Sequence, residues 1–186
     1  VTGVQTCALP IYQQTIWQAD QKFYTDAGIH FGSKIVLDRK GHVYFSVGER
    51  GGNMLAQEVT NPFGKIYRVN EDGSIPKDNP FANTAGAIPG IWSYGHRNPQ
   101  GLTIDSEGNV WDTEHGPRGG DEVNLIQKGA NYGWPVVAFS INYNDTPFQV
   151  PWPTADQKIN TPAFRRLPSI GDRKSTRLNS SHEWIS

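Results

Sequence analysis

Between Trp92 and Pro135 the chain reads WSYGHRNPQGLTIDSEGNVWDTEHGPRGGDEVNLIQKGANYGWP, and most residues with chemical potential gather there. Arg97 stands beside Asn98, Gly116 precedes Pro117, and Asp121 adjoins Glu122. A permanently charged guanidinium with several donors suits a site where negative charge develops, and a neighbouring amide adds a hydrogen bond. The glycines free the backbone to face a ligand. Asp121 and Glu122 invite a reading as an acid–base pair, but adjacent residues on a strand point to opposite faces, so two carboxylates sharing one substrate are not expected. Polar residues set among aromatics and glycines indicate a site on loops, which strands must carry.

Those strands are legible. KIVLDRKGHVYFSVGE, from Lys34 to Glu49, predicts a hairpin: Ile35 to Leu37, a turn at Asp38 to Gly41, then an alternating strand from Val43 to Val47. GLTIDSEGNVWDTEHG repeats it at a constant offset, Asp105 matching Asp38, Gly108 matching Gly41, and Val110 and Trp111 matching Val43 and Tyr44. GKIYRVNEDGSIP supplies another strand with an Asp-Gly turn, and IWSYG a short apolar one. Tyr12 to Ile29 gives only a weak strand or loop signal, while Asn79 to Gly90 and Ser140 to Thr154 read as long loops. Repeated hairpins with the same turn grammar predict an all-β chain of four-stranded units, as in a β-propeller. Asp112 breaks the alternation of its strand, and a buried carboxylate there needs a partner or water.

Composition bounds the classes. The 186 residues carry a net charge of −1, 36% apolar residues, 13 prolines and 20 glycines, an ordinary globular balance weighted toward strands and turns. A nucleic-acid or membrane-surface binder is not expected from that charge, and no run is long enough to span a bilayer. Cys7 is the single cysteine. The stretches 1–11 and 172–186, the second basic and Ser-rich, lack the patterning of the middle and resemble translated sequencing-adapter read-through of assembled metagenomic fragments. They are expected to be non-native-looking extensions, the alternative being a pair of disordered tails, flanking a folded region over 12–171. That region contains no cysteine, which is compatible with an oxidising compartment. His30, His96 and His115 form no close ligand pair and have no cysteine partners, which argues against zinc.

With IHFGSKIVLD, IWSYGHRNPQGL, EHGPRGGDEVNLI and GANYGWP in view, the middle of the chain resembles the soluble pyrroloquinoline quinone (PQQ)-dependent sugar dehydrogenases of the aldose sugar and sorbosone group. The likeness covers about Ile29 to Pro168, with the motifs in family order. It implies a six-bladed β-propeller, of which about half is present, with PQQ and Ca2+ on its top face and a periplasmic or secreted location.

The resemblance assigns roles residue by residue. His30 would be the general base that takes a sugar hydroxyl proton, work suited to imidazole near neutral pH. Arg97 and Asn98 would lie against PQQ, with His115 a further contact. The carbonyls of Gly116 and Pro117 would ligate the calcium that also holds PQQ, since calcium takes oxygen ligands. Glu122 and Tyr132, the latter through its carbonyl, would hold a second, structural calcium, leaving Asp121 to brace the loop. The implied reaction oxidises an aldose at C1 to a lactone by hydride transfer to calcium-bound PQQ, with electrons leaving to an external acceptor. Further PQQ-gripping cations and a glutamine would come from blades outside this segment. Two other readings remain: a calcium-dependent propeller lactonase, against which the scarcity of loop carboxylates beyond Asp121 and Glu122 speaks, and a non-catalytic binding platform.

Overall fold

The computed structural model describes residues 14–140, 146 and 158–166. Both expected extensions, and almost all of the Ser140–Thr154 loop, lie outside these residues. Within them the chain is all-β with two short 3-10 turns. Strands β1 (Gly32–Leu37), β2 (His42–Val47), β3 (Lys65–Asn70) and β4 (Ile91–Tyr94) form one sheet in that order. Strands β5 (Pro99–Ile104), β6 (Val110–Glu114), β7 (Asp121–Ile126) and β8 (Phe164–Arg166) form a second, and every neighbouring pair is antiparallel. Residues 14–31 form no strand.

The two predicted hairpins are present and their turns match atom for atom. Asp38 Oδ1 accepts from the amides of Lys40 (2.7 Å) and His42 (2.9 Å), and Asp105 Oδ1 accepts from those of Glu107 (2.9 Å) and Asn109 (2.8 Å). An aspartate that bonds its own turn in this way closes it locally. Gly41 and Gly108 sit at φ 85° and 88°, a left-handed conformation that makes glycine the natural choice there. β1 begins at Gly32 rather than Ile35, because a bulge between those residues extends the pairing past the apolar run, with Ser33 at φ 73°. β8 has no counterpart in the sequence reading, since three residues carry no readable period.

The core lies between the sheets. Tyr44 and Ile66 from the first meet Leu102, Val110 and Ile126 from the second, with Tyr132 completing the cluster. Each such side chain, taken out of water, contributes about 1.5–3 kcal/mol. On the opposite face of the first sheet Phe45 stacks on Tyr67 at 4.9 Å, and Trp17 packs against both rings. Alternation along β2 and β3 thus fills two layers, and Trp17 gives the irregular N-terminal segment its anchor. Lys65 is fully buried, its ammonium held by the carbonyls of Leu55, Ala56 and Phe63. Burial pushes its pKa down to about 7, partly opposed by Glu58.

Candidate functional site

His30 adopts φ 52°, an uncommon conformation for a residue with a side chain, just ahead of the β1 bulge. Its Nδ1 pairs with Glu49, which follows β2; the His30 side chain is 17% exposed and that of Glu49 wholly buried. Glu49 also accepts from the Asn53 amide. Burial pushes the Glu49 carboxyl up, but the bonds from His30 and Asn53 outweigh it, and the group titrates below its ordinary range. Imidazole is thereby oriented by a buried anion through one nitrogen, leaving Nε2 for other work. A Cβ on Gly48 would sit 2.0 Å from the His30 carbonyl oxygen, so only glycine lets the two segments approach this closely.

The His30 loop joins the Arg97–Asn98 loop directly. The Gly32 amide donates to Asn98 Oδ1 (3.1 Å), and the Glu49 amide to the Arg97 carbonyl (2.9 Å). Arg97 in turn reaches the second sheet, its guanidinium donating to the carbonyls of His115 (3.0 Å) and Gly116 (3.1 Å). Asp121 Oδ1 accepts the Gly116 amide (3.2 Å) and lies 3.5 Å from His115 Nδ1, so it braces this loop. His30, Arg97, Asn98, His115 and Gly116 therefore form one continuous patch at the strand ends of both sheets, and Pro117 is buried beside it.

Glu122 and Tyr132 meet on the same side of the second sheet. They line, with Arg97, His115, Gly116 and Pro117, a cavity of about 20 Å3, room for one water-sized occupant. Burial, reinforced by the Glu114 charge, raises the Glu122 carboxyl to about 8. The Tyr132 side chain has a structural task of its own: its hydroxyl donates to the Leu125 carbonyl (2.5 Å), and its ring stacks on His96 at 4.7 Å. Burial raises that phenol to about 12. The donor chemistry fits a hard cation, because the His115 and Gly116 carbonyls already turn to a cationic group and Glu122 adds a carboxylate. The cavity is far too small for a tricyclic quinone, so these residues fit the metal end of a PQQ seat and do not enclose the cofactor.

Sequence reasoning missed a buried polar cluster beneath this patch. Asp112 and Glu114 on β6 pair across the ladder with Asn124 and Glu122 on β7, all four on one face. His96 Nδ1 lies 3.1 Å from Glu114 Oε1 and 3.6 Å from Asp112 Oδ2. Asp112 is fully buried and neither of its oxygens meets a hydrogen-bond partner. Burial, and then the Glu114 charge, raise its carboxyl well above the ordinary range, opposed by Asn124 across the ladder, and His96 Nδ1 lies 3.6 Å from Oδ2. Besides Glu122, two further carboxylates, Asp112 and Glu114, converge here from strand positions that the loop motifs do not include. Ligand atoms of His96, Asp112 and Glu114 lie within 4.8 Å of one another, a grouping that could hold a metal. Both Glu114 oxygens, however, already accept hydrogen bonds: Oε1 from Asn124 Nδ2 and Oε2 from the Arg97 amide.

Comparison with known proteins places this geometry among relatives. A family model described as glucose / sorbosone dehydrogenase matches residues 10–182. The aldose sugar dehydrogenase YliI of Escherichia coli is 45% identical over 139 residues, covering 74% of this chain and 36% of the relative. Among solved structures, the soluble aldose sugar dehydrogenase of Escherichia coli in its apo form superposes with a TM-score of 0.75 at 39% identity, over 84% of this chain and 45% of that one. The PQQ-bound aldose sugar dehydrogenase of Streptomyces coelicolor gives 0.54 at 35% identity, over 64% and 34%. The chain thus spans about a third of the curated relative's length.

Proposed function

We propose, from the premise that the chain belongs to the glucose / sorbosone dehydrogenase family, that a complete protein carrying this segment oxidises aldose sugars at the C1 hydroxyl to lactones, with PQQ and calcium as cofactors. The observation that carries this reading is the continuous patch linking His30, Arg97, Asn98 and Gly116 across two sheets. When bound, calcium-ligated PQQ supplies the two-electron acceptor for the C1 hydrogen. His30 takes the hydroxyl proton at Nε2, with Glu49 holding Nδ1 and stabilising the imidazolium that forms. Arg97 and Asn98 face the negative charge of the cofactor, and His115 adds a contact. Gly116 and Pro117 would give their carbonyls to the cofactor's calcium, which requires the Arg97 guanidinium to release Gly116. Glu122 and the Tyr132 carbonyl would hold a second calcium, which requires the one small cavity they share with Gly116 and Pro117 to open into two sites.

The two sheets are read as neighbouring blades of a six-bladed propeller, with 12–171 as the folded part and 1–11 and 172–186 as extensions. An external acceptor takes the electrons. Among the described residues no helix is long and apolar enough to cross a membrane, and a periplasmic or secreted location is part of the proposal. The competing lactonase reading gains the carboxylate cluster of Asp112, Glu114 and Glu122, but Asp112 is wholly buried and Glu114 nearly so, beyond reach of a substrate. The test is dye reduction by the complete protein loaded with calcium and PQQ, using glucose and other aldoses. PQQ-dependent reduction is the expected result; its absence in folded, calcium-loaded protein rejects the dehydrogenase.

A further inference from the structure

The cluster beneath the patch contains one residue that links both halves of the proposed cofactor seat, one by hydrogen bonds and the other by its place in the chain. Glu114 ends β6, two residues before Gly116, and its side chain reaches back under the β4–β5 loop. Oε2 accepts the Arg97 amide at 2.7 Å and the Asn98 amide at 3.3 Å. Oε1 meets His96 Nδ1 at 3.1 Å and accepts from Asn124 Nδ2 at 3.2 Å. His96 is itself fixed, since its Nε2 lies 2.8 Å from Ser93 Oγ and its ring is stacked under Tyr132. A carboxylate accepting two consecutive backbone amides fixes the direction in which both side chains leave the chain, and charge-assisted bonds of this kind are about twice as strong as neutral ones. Here the two side chains are Arg97 and Asn98.

We propose that Glu114 is the positioning residue of the cofactor site, a single buried carboxylate that ties the Arg97–Asn98 cation loop to the Gly116–Pro117 carbonyl loop so that the two meet at a fixed separation. Glu114 does not touch the cofactor. It acts through the Arg97 and Asn98 amides on one side and through its own backbone position on the other. Asp112, two residues earlier on the same strand face, lies 3.6 Å from His96 Nδ1 but has no hydrogen bond to the Arg97 or Asn98 amides, and it serves as an internal control. This inference rests on the reading of Arg97 and Asn98 as the PQQ cradle.

The test uses the complete protein and two readouts, PQQ affinity by spectroscopic titration and turnover with an aldose. Supporting residues behind a first layer of ligands cost about 10–100-fold when altered. Glu114→Gln is expected to weaken PQQ binding by about that factor, whereas Asp112→Asn changes it less than about threefold. A double-mutant cycle with Arg97→Ala separates positioning from general destabilisation, because a residue acting through Arg97 adds little once Arg97 is gone. Should Glu114→Gln fail to fold, Glu114→Asp keeps the charge, shortens its reach, and is expected to show the same loss in smaller measure. Unchanged PQQ affinity in the folded Glu114 variants, equal losses in Asp112→Asn, or full additivity with Arg97→Ala overturns the proposal. Wild-type protein that binds no PQQ would instead sink the cofactor reading on which it stands.

Discussion

The exits of the two hairpins diverge although the hairpins share one design. At their turns Asp38 and Asp105 make the same pair of amide bonds. After β2, Glu49 turns its carboxylate to a partly exposed imidazole. At the end of β6, Glu114 turns its carboxylate to buried backbone amides and a buried histidine. In the proposed function, one exit would orient a side chain for proton transfer, and the other would hold a backbone that presents a cation. A repeated scaffold can therefore carry two unlike tasks, set by whether the acidic group meets a side chain near solvent or amides in the interior.

The largest expected effect concerns the scaffold itself. Among the described residues β1 is an edge strand, with Ile35 and Leu37 each 61% exposed, an apolar edge of the kind that other chains pair with. The 186-residue chain alone is expected to self-associate and to oxidise no sugar, read by light scattering and dye reduction; a monomeric, active preparation would contradict this. Within the complete protein, Glu49→Gln is expected to lower kcat by about 10–100-fold while leaving PQQ affinity near wild type. Loss of a buried orienting anion acts on the base and not on the cradle. Equal loss of affinity would merge the two exits into one site and break the comparison.

A smaller effect comes from Lys65. Its folded pKa of about 7 lies below the ordinary lysine value of 10.5, so between those values the unfolded chain binds a proton that the folded chain does not. This contribution to stability is full above about 10.5 and is lost as pH falls through about 7. Lys65→Met should flatten that rise, and leaves three carbonyls without their donor, at a cost of about 1–3 kcal/mol. Thermal melts from pH 7 to 10 decide it. Smallest are the turns. Asp105→Asn is expected to lower Tm slightly more than Asp38→Asn, because Asp105 Oδ2 also accepts from Asn109 and Trp111 whereas Asp38 Oδ2 meets only His42. The Trp111 and Asn109 bonds hold the Asp105 carboxyl at about 2, so its contribution is present above pH 3.8 and is lost as pH falls through 2. A pH-independent difference between the two melts would argue against this cause.

Much of the scaffold was legible because alternation and Asp-Gly turns are local signals. Val43 to Val47 and the Asp105 turn needed no information from elsewhere in the chain. The site was legible where residue type carried it, as with His30, Arg97 and Asn98 under the resemblance. Glu49 and Glu114 were not, since each gains its meaning from a partner many residues away. Asp112, Glu114, Glu122 and Asn124 form a period-2 polar face, of which the sequence singles out Asp112 and Glu122 but not the cluster they make with Glu114 and Asn124. His96, stacked on Tyr132, lies against Asp112 and Glu114 from a distant loop, a contact no local pattern announces.

The division of labour between the exits is tested most directly by His30→Ala in the complete calcium-loaded protein, with PQQ titration and aldose turnover measured on one preparation. The expected result is turnover reduced by at least about 10²–10⁴-fold with PQQ affinity retained. Loss of PQQ affinity in step with turnover, or retained turnover, would contradict a His30 that transfers the proton beside a cradle built by Arg97, Asn98 and Gly116.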